Sequence, residues 1–212
     1  MIGEYTPAQL MEFGFALAYE AQKPLHAQWR TVMTELEALR GNIGPHDSAD
    51  NDVYFDLLLR QLEDEQATYI QKHDMHHPNS RVRFQIQLTR YWLVSMCEML
   101  RVTRGAMDPS HPQFLALDDI FQELSAFRMM TAKQEPKGTN RKPPPDEIPY
   151  FSSPETNNKA FQDFSVQNAK FPEKGGYRTP PFYENETGSV CFSVYDHNTG
   201  TVRIVKRRSI SQ

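Results

Sequence analysis

The chain predicts a mainly α protein: a five-helix antiparallel bundle over residues 1–135, a long irregular strap over 136–188, and a C-terminal β-hairpin over 189–212. Three observations carry this reading. Apolar residues recur at helical spacing through most of the first 132 positions. Pro, Asn, Lys and Gly then dominate as far as Gly188, and the last segment alternates as a strand does. At 212 residues, one helical core with an appendage is more natural than two full domains.

Thr6-Pro7 opens the first helix as an N-cap followed by proline at the first helical position, and the helix runs to about Gln22. The second spans about Pro24 to Arg40, with Leu25, Trp29, Val32, Leu36 and Leu39 as its apolar stripe and Gly41-Asn42 as its stop. The third, from about Asp52 to Met75, turns Phe55, Leu58, Leu62 and Tyr69 inward and Glu63-Asp-Glu65 outward. His-Pro-Asn-Ser80 caps the fourth helix, which ends at Gly105. Its stretch Tyr91-Trp-Leu-Val-Ser-Met-Cys-Glu98-Met-Leu-Arg101 is apolar almost all round, which places it in the middle of the bundle. Pro109 and Pro112 bracket the start of the fifth helix, whose apolar positions are Leu117, Ile120, Phe121, Leu124 and Phe127.

The strap carries Tyr150, Phe151, Phe161, Phe164, Phe171, Tyr177, Phe182 and Tyr183. Disordered segments are poor in aromatics, so these rings are expected to anchor it on the bundle, with a short helix near Asn158–Phe164. The hairpin pairs Ser189–Tyr195 with Thr201–Lys206 around an Asp196–Gly200 turn. Two strands alone are marginal in water. It must therefore pack on the helices, gain a third strand, or pair with another copy.

Charge is unevenly spread. Residues 1–131 hold 11 Lys/Arg against 18 Asp/Glu, a net of −7, while residues 132–212 hold 12 against 9, a net of +3. The acidic bundle is expected to repel a nucleic-acid backbone unless its few basic residues are grouped. Two cysteines, Cys97 and Cys191, allow one disulfide but no disulfide scaffold, which favours a reducing cytoplasm. The N-terminal Met-Ile-Gly-Glu-Tyr lacks a basic flank and apolar core, so no signal peptide is expected. No apolar run approaches the ~20 residues of a membrane span.

Charged residues inside the apolar fourth helix must be paired or functional. Glu98 and Arg101 are close enough for an intrahelical pair, and Arg128 of the fifth helix is a further partner. With Arg104 and His111, they form the candidate catalytic set. His73-Asp-Met-His-His77 sets two histidines at i and i+4, as in zinc peptidases. Its acid is Asp, and Pro78 follows directly, so helix-end histidines facing the dipole's negative pole are the simpler reading. His73 and His77 remain weak metal candidates, and no cofactor is expected. Arg203, Lys206, Arg207 and Arg208 could contact phosphates, or could simply blunt an edge strand. No phosphate-cradling glycine loop and no serine nucleophile elbow occurs.

The long helices, with Tyr-Trp-Leu-Val-Ser-Met-Cys-Glu-Met-Leu-Arg101, Arg128-Met-Met-Thr-Ala-Lys-Gln134 and the terminal hairpin, resemble the HEPN superfamily of bacterial helical proteins. That resemblance covers roughly residues 80–135 and 189–208. It implies a helical bundle, and in the family an Arg followed after four to six residues by His serves metal-independent RNA cleavage. Arg40 with His46 and Arg104 with His111 match the spacing, whereas Arg128 meets Gln134, which cannot shuttle a proton near neutral pH. The resemblance therefore implies a degenerate site. The expected function is a bacterial cytoplasmic interaction or regulatory protein without catalysis, as a homo-oligomer or with a protein partner, and without a membrane. The alternatives are a ribonuclease using Arg104 and His111 with Glu98 in support, and a nucleic-acid binder using the basic hairpin.

Overall fold

The computed structural model describes residues 5–41, 49–73, 80–132, 147–152, 165–170, 181–184, 186–196 and 198–210. Five long helices form the bundle: α1 (Pro7–Ala21), α2 (Lys23–Arg40), α3 (Ala49–His73), α4 (Ser80–Ala106) and α5 (Phe114–Ala132). The first start is set by a capping box. The Thr6 hydroxyl accepts from the Gln9 amide at 3.3 Å, and the Gln9 side chain accepts from the Thr6 amide at 2.8 Å. Gly41 ends α2 at φ 60°, a conformation that favours glycine.

Helix α4 is the centre, as its all-round apolar character predicts. It packs against α2, α3, α5 and the C-terminal sheet. Trp92, Leu93, Met96, Cys97 and Met99 are buried on it, against Leu124, Phe127 and Met130 of α5 and Trp29 and Met33 of α2. Each such large apolar side chain contributes about 1.5–3 kcal/mol through removal from water. Two expected apolar positions are exposed instead. Met33, not Val32, is buried on α2, and Ile120 stays exposed on α5.

The larger correction concerns α3. Its buried face is Asp52, Val53, Asp56, Leu57, Leu59, Arg60, Glu63 and Gln66, so Glu63 points inward and not to solvent. A stripe that mixes carboxylates with apolar residues defeats a purely hydrophobic reading of periodicity.

Within the mostly irregular strap that the sequence predicts, β1 (Glu147–Ser152) and β2 (Ser165–Lys170) pair antiparallel, strands that the sequence reading did not place. The short helix expected near Asn158–Phe164 lies outside the described residues, as do Phe161, Phe164, Phe171 and Tyr177. The hairpin is present and gains a third strand. β3 (Pro181–Tyr183), β4 (Val190–Asp196) and β5 (Thr201–Lys206) form an antiparallel sheet in that order. Every residue of the central β4 is buried. It lies against α4 and α5, with β1 close to β4 and β5 without joining their sheet. The Phe192 ring meets Phe127 at 4.7 Å. The hairpin thus satisfies itself within one chain.

The sheet docks on α3 through backbone approach and charge together. Gly188, at φ +64°, lies so close to α3 that an added Cβ would sit 2.1 Å from the Glu63 carbonyl oxygen. Ser189 Oγ donates to Glu63 at 3.0 Å. After β5 the chain forms the short helix α6 (Arg207–Ile210) and buries Arg207 completely. Its guanidinium spans two carboxylates seven positions apart on α3, pairing with Asp56 through Nη1 and with Glu63 through Nε and Nη2.

Breaking a buried pair of this kind leaves uncompensated charge and costs about 3–5 kcal/mol. Arg207→Ala is expected to lose that much stability in urea denaturation and to expose the β4–β5 segment to limited proteolysis. Arg207→Lys should rescue only part, since one ammonium cannot reproduce the planar fork. A loss below about 1 kcal/mol for the alanine variant would show that the pair does not hold the sheet.

Candidate functional site

Three places could carry function: the ion pairs along the α4–α5 face, the buried polar cluster on α3, and a cavity between α2, α4 and α5. The candidate catalytic set divides between two ion-paired groups and a turn. Glu98 takes Arg101 at 2.8 Å within its own helix and is ion-paired with Arg128 of α5. Burial pushes the Glu98 carboxyl up, but the hydrogen bond from Arg101 and the charges of Arg128 and Arg101 outweigh it and hold it below the usual carboxylate range. A carboxylate kept ionised in this way is a poor proton donor near neutral pH.

Arg104, one turn further on, pairs with Asp118 instead. Its guanidinium also lies over the rings of Phe114 (5.5 Å) and Phe121 (5.3 Å). His111 sits in the turn between α4 and α5, where its Nδ1 accepts from the Gln113 amide at 3.2 Å and its own amide donates to the Asp108 carbonyl at 2.9 Å. The helix pair thus joins Glu98, Arg101 and Arg128, and sets Arg104 and His111 to other partners.

The basic residues of the hairpin are compensated in place. Arg207 is sealed inside, so it cannot meet a phosphate, because its fork is already filled by Asp56 and Glu63. Arg208 pairs with Asp64 at 2.7 Å and Lys206 with Glu184 at 2.5 Å. Arg203 lies near enough to Glu123 to act on its carboxyl. Of the metal candidates, His73 closes α3 and His77 lies outside the described residues, as does His46. Among the described residues, no cluster of three His, Cys, Asp or Glu side chains could hold a metal ion, and no helix is long and apolar enough to cross a membrane.

Sequence reasoning missed the polar cluster. Trp29 Nε1 donates to Asp56 at 2.8 Å, Arg60 Nε to the same carboxylate oxygen at 3.1 Å, and Ser95 Oγ to Asp52 at 2.7 Å. The Arg207 guanidinium lies 5.6 Å from the Trp92 ring. Charged residues at 52, 56, 60 and 63 recur on one helical face, and that spacing was the available signal. The carboxylates of the cluster are fully buried and already paired, so it holds charge for the fold. Both cysteines are likewise buried and unbridged, and burial foremost pushes the Cys191 thiol up to about 12.

The cavity is different, for it opens to solvent. It measures about 240 Å³ and is walled by Leu36 and Leu39 of α2 and Ala116 and Leu117 of α5, with Met96 and Leu100 of α4 also lining it. Trp29 and Ile210 join the lining, and Glu35 is the one ionisable side chain among the described lining residues.

No family model matches the chain, and neither a curated protein nor a solved structure matches it.

The Glu98 pairing carries a pH signature. Its folded value lies below its ordinary value of 4.5, so its contribution is full above that pH and fades as pH falls through the folded value. Solvent reaches both partners, which keeps the contribution under about 1 kcal/mol. Glu98→Gln should therefore lower stability slightly at pH 7 and flatten the wild-type decline below pH 4.5, read by urea midpoints across pH. A variant that retains the full acid-dependent decline would remove Glu98 as its source.

Proposed function

We propose that this is a non-catalytic interaction or regulatory protein that self-associates, and that its contact is the outer face of α1. The observation that carries this reading is an apolar seam on which none of the described residues of the chain packs. Leu10, Gly14, Leu17 and Ala21 follow at the 4-3-4 spacing of helix-pairing seams. Phe13 beside them is 64% exposed, with Leu10, Met11 and Leu17 close to half exposed. The face of α1 that flanks this seam is already used, with Phe15 on Phe55 at 5.7 Å and Ala18 buried.

Gly14 supports a second copy as the occupant. A Cβ there would meet nothing within 4 Å, so packing inside the chain does not require glycine. Glycine inside a helix costs about 1 kcal/mol relative to alanine. In a two-fold contact the residue on the axis meets itself, and a glycine lets two helix backbones approach there. The motive for self-association thus moves from the hairpin to α1. Two buried, unbridged thiols support a reducing cytoplasm as the setting, and a bacterial source rests on the HEPN resemblance.

Sedimentation velocity at micromolar concentration should give a dimer. Phe13→Glu with Leu17→Glu should give a monomer of unchanged helical content. Raising the salt should strengthen association, since it screens repulsion between two acidic bundles. A monomer at every concentration and salt overturns the proposal.

A second reading is supported by one feature: Arg104 and His111 share the α4–α5 corner, with the His111 carbonyl accepting from the amide of Phe114, whose ring lies beneath Arg104. In a metal-independent ribonuclease His111 would move the proton and Arg104 would steady the phosphate. RNA cleavage in EDTA that His111→Ala lowers at least a hundredfold would establish it and displace the non-catalytic reading. Intact RNA after prolonged incubation would dismiss it.

A further inference from the structure

We infer that the cavity between α2, α4 and α5 is a binding site for a small amphiphilic cation, one apolar chain or ring carrying a single ammonium group. Helices α2 and α5 both pack on α4 and leave this space between them, with Met96 and Leu100 of α4 in its lining. An apolar cavity of about 150 Å³ already accepts a benzene ring, so about 240 Å³ accommodates a ring with a short arm or an eight-carbon chain. Apart from Trp29, Glu35 and Gln113 its lining is aliphatic or thioether, which suits an apolar body with one polar end.

Charge selects the head group. Glu35 is exposed and is the one ionisable residue of the described lining, so an ammonium head finds a partner and a carboxylate head meets repulsion. Gln113, on the α5 side, adds a neutral side chain able to accept a hydrogen bond. The net charge of −7 over residues 1–131 also raises the local concentration of cations. Arg40, near the end of the same helix, is buried and is not part of the lining.

The site differs from the α1 face assigned to self-association, so either can fail without the other. It also carries its own reporter. Trp29 lines the cavity and donates its indole N–H to Asp56, so an apolar chain beside the ring should alter its fluorescence.

Octylamine, octanol and octanoate share one chain length and differ in the head. Titrated at pH 7 below their micellar concentrations and followed by tryptophan fluorescence and calorimetry, octylamine should saturate one site. Octanol should bind about fivefold more weakly, the factor one exposed charge pair supplies, and octanoate weaker still. Glu35→Gln should bring octylamine down to the level of octanol and leave octanol unchanged. Ala116→Phe, an exposed substitution that fills the space from α5, should abolish binding of amine and alcohol alike at unchanged helical content. Octanoate binding as tightly as octylamine overturns the proposal. So does octylamine affinity that survives Ala116→Phe, or no saturable binding by any of the three.

Discussion

One guanidinium decides how this chain closes. Asp56 and Glu63 lie seven positions apart on α3 and so face the same way, and both are fully buried. Two buried carboxylates on one stripe are untenable alone. Arg207 answers both at once, and its planar fork suits two acceptors along a helix better than a point charge does. Because Arg207 follows directly on β5, meeting this demand also sets where the sheet must lie. Gly188 and Ser189 fix the other end of the same contact, at the start of β4. The bundle and the sheet are therefore one cooperative unit.

That arrangement has a consequence for assembly. The contacts of Arg207 bridge 144 and 151 positions of sequence. The acidic face of α3 cannot be buried favourably until nearly the whole chain is available. Until then α3 can pack through Val53, Leu57 and Leu59, but its charged stripe must stay hydrated. Long-range closure of this kind slows folding, because loop entropy is lost before the contact is gained. The stripe also works against alternatives, for a misplaced hydrophobic element cannot cover it without leaving charge unpaired.

Much of this was legible from residues, and the remainder was illegible for a definite reason. Helix ends follow local chemistry, so Thr6-Pro7 and Gly41 marked them correctly. The apolar run from Tyr91 to Leu100 placed α4 at the centre because a helix apolar on every side has no other place to go. The hairpin followed from alternation and its glycine turn. What stayed hidden was pairing at a distance. Glu63 beside Asp64 and Glu65 looks solvated, and Arg207 beside Lys206 and Arg208 looks like a basic tail. Each is buried only because the other is, and no local window contains both. The candidate set shows the same limit: Glu98, Arg101 and Arg128 do meet, while Arg104 takes Asp118, a choice between two acids that spacing alone does not make.

Trp29 ties the enclosed cluster to the open cavity. Its N–H belongs to Asp56, its ring meets Trp92 edge-on at 6.3 Å, and it also lines the cavity. Ile210 makes a second link, three residues after Arg207 on α6 and in the lining of the same cavity. Whatever displaces Trp29 or Ile210 from the cavity side must act on the cluster that holds the C-terminal sheet, and loosening the sheet must reshape the cavity in return. Reciprocity of this kind is a thermodynamic necessity wherever two sites share a side chain whose position both depend on. The Trp29 indole is buried and hydrogen-bonded, and α6 is held by Arg207, whose guanidinium pairs with both Asp56 and Glu63. With walls held in this way, a ligand in the cavity would spend little of its binding free energy on ordering the site.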